Sequence, residues 1–256
     1  MFSYTTELID KEVYVRPRQF VGGVPIGILL FGKTGYALPP GSVENATTFP
    51  FPVYYRAISA ASVDSVVSTQ LDTQVLQQLI ETGKEMQDQG CRAIIGACGY
   101  FANYLPEVSP HLDIPCFFSS LMQVPLILQS MRPGKKVGVI CADGRILKSA
   151  PVLKNCGVSD PESIVICGAE VLPDMQKILK GVGHYNPFCL ERGLVELADT
   201  MIREHHEIGA VLLECTLFPT HAHAVQAKVK LPVFDFSTLI NWVYNGVVRR
   251  PFGGYI

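Results

Sequence analysis

The sequence lacks any uninterrupted apolar run of the roughly 20 residues that a membrane-spanning helix needs, although 48% of its 256 residues are hydrophobic. Charged residues make up only 17% of the sequence, and the net charge is −2. The only basic cluster of note is the pair Arg249 and Arg250. We therefore expect binding neither to nucleic acid nor to a membrane. Residues 1–18 lack the apolar core of a signal peptide, so we expect a cytoplasmic protein.

The eight cysteines include no C-x-x-C pair, which argues against a structural zinc site. In a cytoplasmic chain they are expected to be free thiols and not disulfides. His221 and His223 are two residues apart, and on a helix such side chains point to opposite sides. No lysine stands out as a Schiff-base former. The sequence thus predicts neither a metal nor an organic cofactor.

Short apolar runs of strand length alternate with helical segments along the chain, which is typical of an α/β fold with parallel sheets. Pro133 and Gly134 divide this pattern into a first lobe over residues 21–131 and a second over 132–235. A long loop at 32–52, rich in Gly, Pro, Ser and Asn, interrupts the first lobe, and loops of this length often border a site. A helix is predicted over 72–89 and another over 147–155. The predicted strands are 24–30, 53–58, 93–97, 114–118, 136–141, 163–167, 210–214 and 231–235.

The two halves repeat one another around Cys98 and Cys215. The letters AIIGAC ending at Cys98 match AVLLEC ending at Cys215, and a proline follows each cysteine after 17 residues (115 − 98 and 232 − 215). The opening strands also match, IGIL from Ile26 beside VGVI from Val137. The cysteines are offset by 117 residues and the opening strands by 111, a difference that a loop insertion explains. The three matches together indicate an internal duplication.

Each of these two cysteines lies where a buried strand ends and a helix is predicted to begin. In open parallel sheets, ligands bind at the carboxyl ends of the strands. A helix N-terminus there offers free backbone N–H groups and the positive end of the macrodipole, which lowers a thiol pKa and can hold a carboxylate. We therefore expect one thiol on each side of a cleft shared by the two lobes. The other six cysteines are interpreted as packing residues: Cys91, Cys116, Cys141, Cys156, Cys167 and Cys189.

Around these residues the sequence resembles the aspartate/glutamate racemase superfamily, which includes hydantoin racemase, maleate isomerase and arylmalonate decarboxylase. The resemblance spans residues 24–247, and its anchors are Ala-Cys98-Gly-Tyr and Glu-Cys215-Thr-Leu-Phe-Pro. It implies two pseudo-symmetric, flavodoxin-like lobes, each a parallel sheet flanked by helices, with the active site in the cleft between them. It further implies a C-terminal helix at 236–256 packed on the first lobe, no cofactor, and a homo-oligomer such as a dimer.

The activity that the resemblance implies is that of a cofactor-independent racemase or epimerase. One thiolate removes the α-proton of an amino acid or related carboxylic acid, and the opposite thiol delivers a proton to the other face. Cys98 and Cys215 would take these two catalytic roles. The implied substrate-binding residues are Gly32, Lys33, Asn45, Gly99, Tyr100, Asp143 and Thr216.

Loss of the α-proton leaves a carbanion, and two departures from the racemase pattern leave open other reactions of that carbanion. The first strand is followed by Phe31-Gly-Lys-Thr34 in place of an acidic or polar pair, and Cys98 is followed by Gly-Tyr in place of Asn-Thr. The missing groups help to handle an α-amino group. Decarboxylation or cis–trans isomerisation of a carboxylic acid is therefore the alternative on the same scaffold.

Two further motifs point to other classes of protein. The letters GILLFGKT from Gly27 to Thr34 satisfy the P-loop pattern G-x-x-x-x-G-K-T, but the four variable residues look like the strand itself, so we interpret the match as accidental. The segment G-A-Cys98-G-Y approaches the nucleophile elbow of cysteine hydrolases and glutamine amidotransferases, with His221 as a candidate base for Cys215. A hydrolase would form an acyl-enzyme on one cysteine and tolerate loss of the other.

Overall fold

The computed structural model describes residues 17–250, which form two four-stranded parallel β-sheets. The strand orders are β2-β1-β3-β4 and β6-β5-β7-β8, and the paired strands run parallel. With helices flanking each sheet, the predicted two-lobed α/β fold is confirmed. The strands are β1 Ile26–Phe31, β2 Val53–Ile58, β3 Ala93–Gly96, β4 Cys116–Phe117, β5 Lys136–Cys141, β6 Ile164–Gly168, β7 Ile208–Leu213 and β8 Val233–Phe234.

The α-helices of the described residues alternate with these strands. They are α1 Val63–Val66, α2 Thr73–Asp88, α3 Leu105–Val108, α4 Val124–Ser130, α5 Gly144–Ser149, α6 Val152–Asn155, α7 Pro173–Leu179, α8 Pro187–Glu204, α9 Ala222–Val229 and α10 Phe236–Val247. Between residues 17 and 250, no helix has both the length and the apolar character needed to cross a membrane.

The central strands β1, β3, β5 and β7 are largely buried. Near-continuous apolar runs are typical of parallel strands that helices cover on both faces, because neither face of such a strand meets water. This burial explains why the chain has a positive mean hydropathy of +0.25 without a membrane span among the described residues.

The two lobes repeat the same backbone pairing at the strand ends that precede the cysteines. The N–H of Ala97 donates to the carbonyl of Leu29 at 2.8 Å, and the N–H of Glu214 donates to the carbonyl of Ile140, also at 2.8 Å. Ala97 and Glu214 are related by the offset of 117, and Leu29 and Ile140 by the offset of 111. The hydrogen bonds therefore follow the repeat that the sequence predicts.

Helix α10 packs on the first sheet. Its buried residues Phe236, Leu239, Ile240 and Val243 share one apolar cluster with residues of β1, β3 and the 32–52 loop. A capping box at Asp235 begins the helix, and the helix ends at Val247. The predicted segment 236–256 is thus helical over its first half, and residues 251–256 lie outside the described part of the chain.

The helices predicted directly after the two cysteines differ from the prediction. Cys98 is followed by a 3₁₀ turn at Gly99–Asn103 and only then by the four-residue helix α3. Cys215 is followed by a 3₁₀ turn at Phe218–His221 before α9 begins. The helix predicted over 147–155 is likewise divided, into α5 and α6, at the turn before Val152. Neither thiol therefore lies at the N-terminus of a long α-helix.

Candidate active site

A cavity lies where the carboxyl ends of β1, β3, β5 and β7 meet between the lobes. The space in which the centre of a water molecule fits amounts to about 40 Å³, so the site suits a small ligand. Its lining is mostly apolar and includes both predicted catalytic thiols. The lining residues are Phe31, Tyr36, Val63, Val67, Ala97, Cys98, Gly99, Tyr100, Ala142, Met175, Ile178, Leu179, Glu214, Cys215 and Thr216.

Cys98 and Cys215 are half-buried, and burial raises the pKa of both thiols well above its ordinary value. The Glu214 carboxylate raises both pKa values further, and backbone N–H groups beside each sulfur oppose the shift. The sequence predicted lowered thiol pKa values from helix macrodipoles, and this prediction is wrong. Short 3₁₀ turns replace the expected helices, and desolvation outweighs the few N–H donors that remain.

Glu214 immediately precedes Cys215 and is itself only 1% exposed. The N–H of Ala142 donates to its Oε2 at 3.2 Å, and the N–H of Gly99 donates to the same carboxylate. Burial nevertheless raises the pKa of Glu214 to about 7. A Cβ at position 99 would overlap with this carboxylate, so the close approach of the two lobes requires glycine there.

The 32–52 loop carries a second carboxylate, Glu44, to the second lobe. Thr216 Oγ1 donates to Glu44 Oε1 at 2.6 Å, and the Tyr36 hydroxyl donates to the same oxygen at 3.3 Å. The N–H of Val43 also donates to the carbonyl of Thr216 at 3.1 Å. Burial raises the pKa of Glu44, while the two hydroxyl hydrogen bonds oppose the rise.

Tyr100 joins the two lobes beside the cavity. Its hydroxyl donates to the main-chain carbonyl of Asp143 at 2.6 Å. The Asp143 side chain, by contrast, caps α5 by accepting from the N–H groups of Arg145 and Ile146, and it forms an ion pair with Arg145 at 2.6 Å. The Arg145 guanidinium holds the pKa of Asp143 below its usual value. The Asp143 side chain thus caps a helix and lies outside the cavity lining, and its expected substrate contact stays a prediction.

Three other predicted substrate-binding residues also lie outside the lining. Gly32 and Lys33 are exposed at the end of β1, where the Gly32 N–H donates to the carbonyl of Ala61. Asn45 stabilises the 32–52 loop, since its Nδ2 donates to the Leu38 carbonyl at 2.8 Å. The structure therefore brings together Cys98, Gly99, Tyr100, Cys215 and Thr216, and it places Gly32, Lys33, Asn45 and Asp143 elsewhere.

Sequence reasoning missed Tyr36, Glu44 and Glu214. A signal for the two carboxylates was present: Glu44 is the only acidic residue between 32 and 52, in a loop expected to border a site. Glu214 takes the place of Ala97 in the repeat, so it is a charged residue at the end of an apolar strand. Tyr36 had no comparable signal.

The alternative motifs lack the geometry that their chemistry needs. The residues between Gly27 and Gly32 belong to β1, and Lys33 enters an irregular loop instead of a helix, unlike a P-loop. His221 is buried, with Nδ1 at 3.1 Å from Glu191 Oε2, and no histidine is among the described residues that line the cavity. Over residues 17–250, no three His, Cys, Asp or Glu side chains gather as a metal site.

Comparison of the sequence with known proteins finds relatives that are named dimethylsulfoniopropionate lyases. The chain is 30% identical to dimethylsulfoniopropionate lyase 6 of Emiliania huxleyi (strain CCMP1516) over 228 residues, 86% of this chain and 59% of that protein. It is 27% identical to the dimethylsulfoniopropionate lyase of Durusdinium sp. clade D over 219 residues, 83% of this chain and 71% of that protein. The chain thus spans about 59% of the length of the first Emiliania relatives. No protein-family model matches the sequence.

Comparison of the structure gives the class of fold. Unliganded arylmalonate decarboxylase superposes with a TM-score of 0.54 at 14% identity, covering 90% of this chain and 97% of that one. The aspartate racemase of Picrophilus torridus gives 0.53 at 15% identity, covering 90% and 96%. A glutamate racemase of Bacillus anthracis gives 0.53 at 14% identity, covering 89% and 84%. The chain therefore has the two-lobed fold of these racemases and decarboxylases.

Proposed function

We propose that this chain is a cofactor-independent lyase that removes a proton from the carbon next to a carboxylate and expels a group from the following carbon. The observation that carries the proposal is the cavity to which each lobe contributes one thiol, Cys98 and Cys215. The relatives named dimethylsulfoniopropionate lyases support this reaction class. They also make dimethylsulfoniopropionate, a carboxylate with a β-sulfonium group, the first candidate substrate.

The proposed reaction is an elimination. A cysteine thiolate takes the α-proton, the electron pair of that carbon–hydrogen bond forms a carbon–carbon double bond, and the carbon–sulfur bond breaks. Dimethyl sulfide leaves with the electron pair of the broken bond, acrylate remains, and the thiol later releases the proton to solvent. One base is sufficient for this reaction, whereas inversion of a stereocentre needs a base on each face.

The raised thiol pKa values suit a cationic substrate. Without a ligand, burial and the nearby carboxylates keep Cys98 and Cys215 protonated. A sulfonium group in the cavity supplies the opposite charge, which lowers the pKa of a neighbouring thiol. The base then forms when the cation is bound. The backbone N–H groups of Tyr100, Thr216 and Leu217, which oppose the rise in thiol pKa, are the proposed donors to the substrate carboxylate.

A second candidate is racemisation or epimerisation of an amino acid or related carboxylic acid, with decarboxylation as its variant on the same scaffold. The specific observation in its favour is that the two thiols come from equivalent positions of opposite lobes. The same cavity serves elimination and racemisation, because both begin with removal of the proton next to a carboxylate.

The test is to incubate the purified protein with dimethylsulfoniopropionate in D₂O. We expect dimethyl sulfide in the headspace by gas chromatography and acrylate by proton NMR. Cys98→Ser and Cys215→Ser separate the candidates: loss of the catalytic base lowers the rate by about 100-fold or more, and an elimination needs only one of the two thiols as base. Cys167→Ser is the matched control, since this half-buried thiol lies outside the cavity lining.

A panel of chiral carboxylic acids, followed by circular dichroism and by deuterium incorporation next to the carboxylate, tests the second candidate. Optical inversion that both serine variants abolish would support racemisation instead of elimination. Absence of dimethyl sulfide, of deuterium exchange and of carbon dioxide release with all these acids would refute the carbanion chemistry altogether.

A further inference from the structure

Glu44 has one carboxylate oxygen that accepts hydrogen bonds and one that has no hydrogen-bond partner. Oε1 accepts from Thr216 at 2.6 Å and from Tyr36 at 3.3 Å. Oε2 is buried and has no hydrogen-bond partner. A buried carboxylate oxygen that accepts no hydrogen bond costs free energy, and a cation bound beside it would offset that cost and favour the charged form.

No cationic side chain of the described residues provides that compensation. No Lys, Arg or His is among the described residues that line the cavity. The groups that act on the pKa of Glu44 are its own burial, Thr216, Tyr36 and its own backbone. Glu214 adds a second buried carboxylate whose partners are backbone N–H groups only. Glu214 lines the cavity, and Glu44 lies directly behind Tyr36 and Thr216, which also line it. Two carboxylates therefore lie at or next to the cavity, with no cationic side chain among its described lining residues.

The lining also restricts which cation could enter. Tyr36 and Phe31 present aromatic rings, and Val63, Val67, Met175, Ile178 and Leu179 present apolar surface. A primary ammonium group needs several hydrogen-bond acceptors, whereas a methylated onium group needs only negative charge, aromatic faces and apolar contact. The composition of the lining favours the methylated cation.

We propose that Glu44, held in place by Thr216 and Tyr36, recognises a methylated onium group of the substrate and selects cationic over neutral carboxylic acids. This inference rests on the proposed function, because it assigns the cationic end of the same ligand. In it, Glu44 is a specificity-determining residue, and the thiols remain the groups that move the proton.

Isothermal calorimetry with two ligands of equal shape tests the assignment. One is the trimethylammonium analogue of the substrate, and the other is its tert-butyl counterpart, in which carbon replaces the charged nitrogen. We expect the wild-type protein to bind the cationic ligand about tenfold tighter or more. Glu44→Gln is expected to bring the two affinities to within about twofold, mainly by weakening the cationic ligand.

Two further variants complete the experiment. Glu44→Asp keeps the charge and is expected to keep the preference for the cation, and Glu107→Gln, an exposed carboxylate on α3, is the matched control. Equal affinity of the wild-type protein for both ligands would overturn the assignment, whether or not a variant folds. An undiminished preference in Glu44→Gln would also overturn it.

The outcomes separate this inference from the proposed function. A protein that releases dimethyl sulfide but binds both ligands alike would refute the role of Glu44 alone. A protein that prefers the cation through Glu44 but releases no dimethyl sulfide would refute the lyase reaction alone.

Discussion

Glu214→Gln should change how the stability of the protein depends on pH. Glu214 is only 1% exposed, and its pKa is raised from 4.5 to about 7. An acid whose pKa is higher in the folded state is easier to ionise in the unfolded chain, so stability is lost as pH rises from the unfolded value through the folded one. The difference between 4.5 and about 7 corresponds to about 3 kcal/mol.

Urea denaturation of the wild-type protein and of Glu214→Gln at several values between about pH 4 and pH 8 measures this effect. The free energy of unfolding of the wild-type protein should fall by about 3 kcal/mol relative to the variant across that window, with most of the change between pH 4.5 and about 7. Glu107→Gln, which removes an exposed carboxylate, should leave the wild-type profile unchanged. Parallel profiles for the wild-type protein and Glu214→Gln would refute the reasoning.

Two other predictions concern the packing and reactivity of the site. Gly99→Ala places a methyl group on the Glu214 carboxylate and should cost about 2 kcal/mol or more in urea denaturation. Gly246→Ala is the control, because a Cβ there meets no atom within 4 Å, and it should stabilise α10 by up to about 1 kcal/mol. Equal changes in the free energy of unfolding for the two alanine variants would contradict the predicted overlap with Glu214. Iodoacetamide at neutral pH should modify the exposed Cys189 first, because burial raises the pKa of Cys98 and Cys215 and the thiolate is the nucleophile. Peptide mass spectrometry measures the order, and rapid labelling of either cavity thiol would contradict it.

The sequence predicts the framework well because local signals specify it. The helix predicted over 72–89 is observed as Thr73–Asp88, since the Asp72 side chain caps its start and Gly90 follows with a positive φ of 96°. The buried strands are recognisable as apolar runs, and the matching offsets of the two halves locate both cysteines at strand ends. The helix cap, the apolar strands and the repeat are all encoded by residues close together in the sequence or by a regular spacing, so the sequence alone reveals them.

The helices after the cysteines could not be predicted from their apolar residues. Pro106 lies in the first turn of α3 and Pro219 in the first turn of the 3₁₀ segment after Cys215. Proline has no N–H and fits the first turn of a helix but not its interior, so both helices begin later than their apolar patterns suggest. The expected thiol pKa shift is wrong for the same reason.

The polar groups of the site depend on contacts between distant parts of the chain. Thr216 and Glu44 are 172 residues apart in the sequence, and no local pattern encodes such a pair. Asp143 is the converse case: its position after a strand suggested a ligand contact, and the structure adds a local role, because its side chain serves as an N-cap. Aspartate is a favoured N-cap residue, so this role could have been weighed from the sequence.

Segments 32–52 and 142–163 occupy the same place in the two lobes, but one is an irregular loop and the other contains α5 and α6. Both segments reach across to the opposite lobe beside its cysteine, but the loop does so through the carboxylate of Glu44 at Thr216, and the other segment through the main chain of Asp143 at Tyr100. The two walls of the cavity have therefore become chemically different although their strands are related by duplication. A small, flexible acid that meets unlike walls can lie in only one orientation, so we expect the same one of its two α-hydrogens, pro-R or pro-S, to be removed at every turnover.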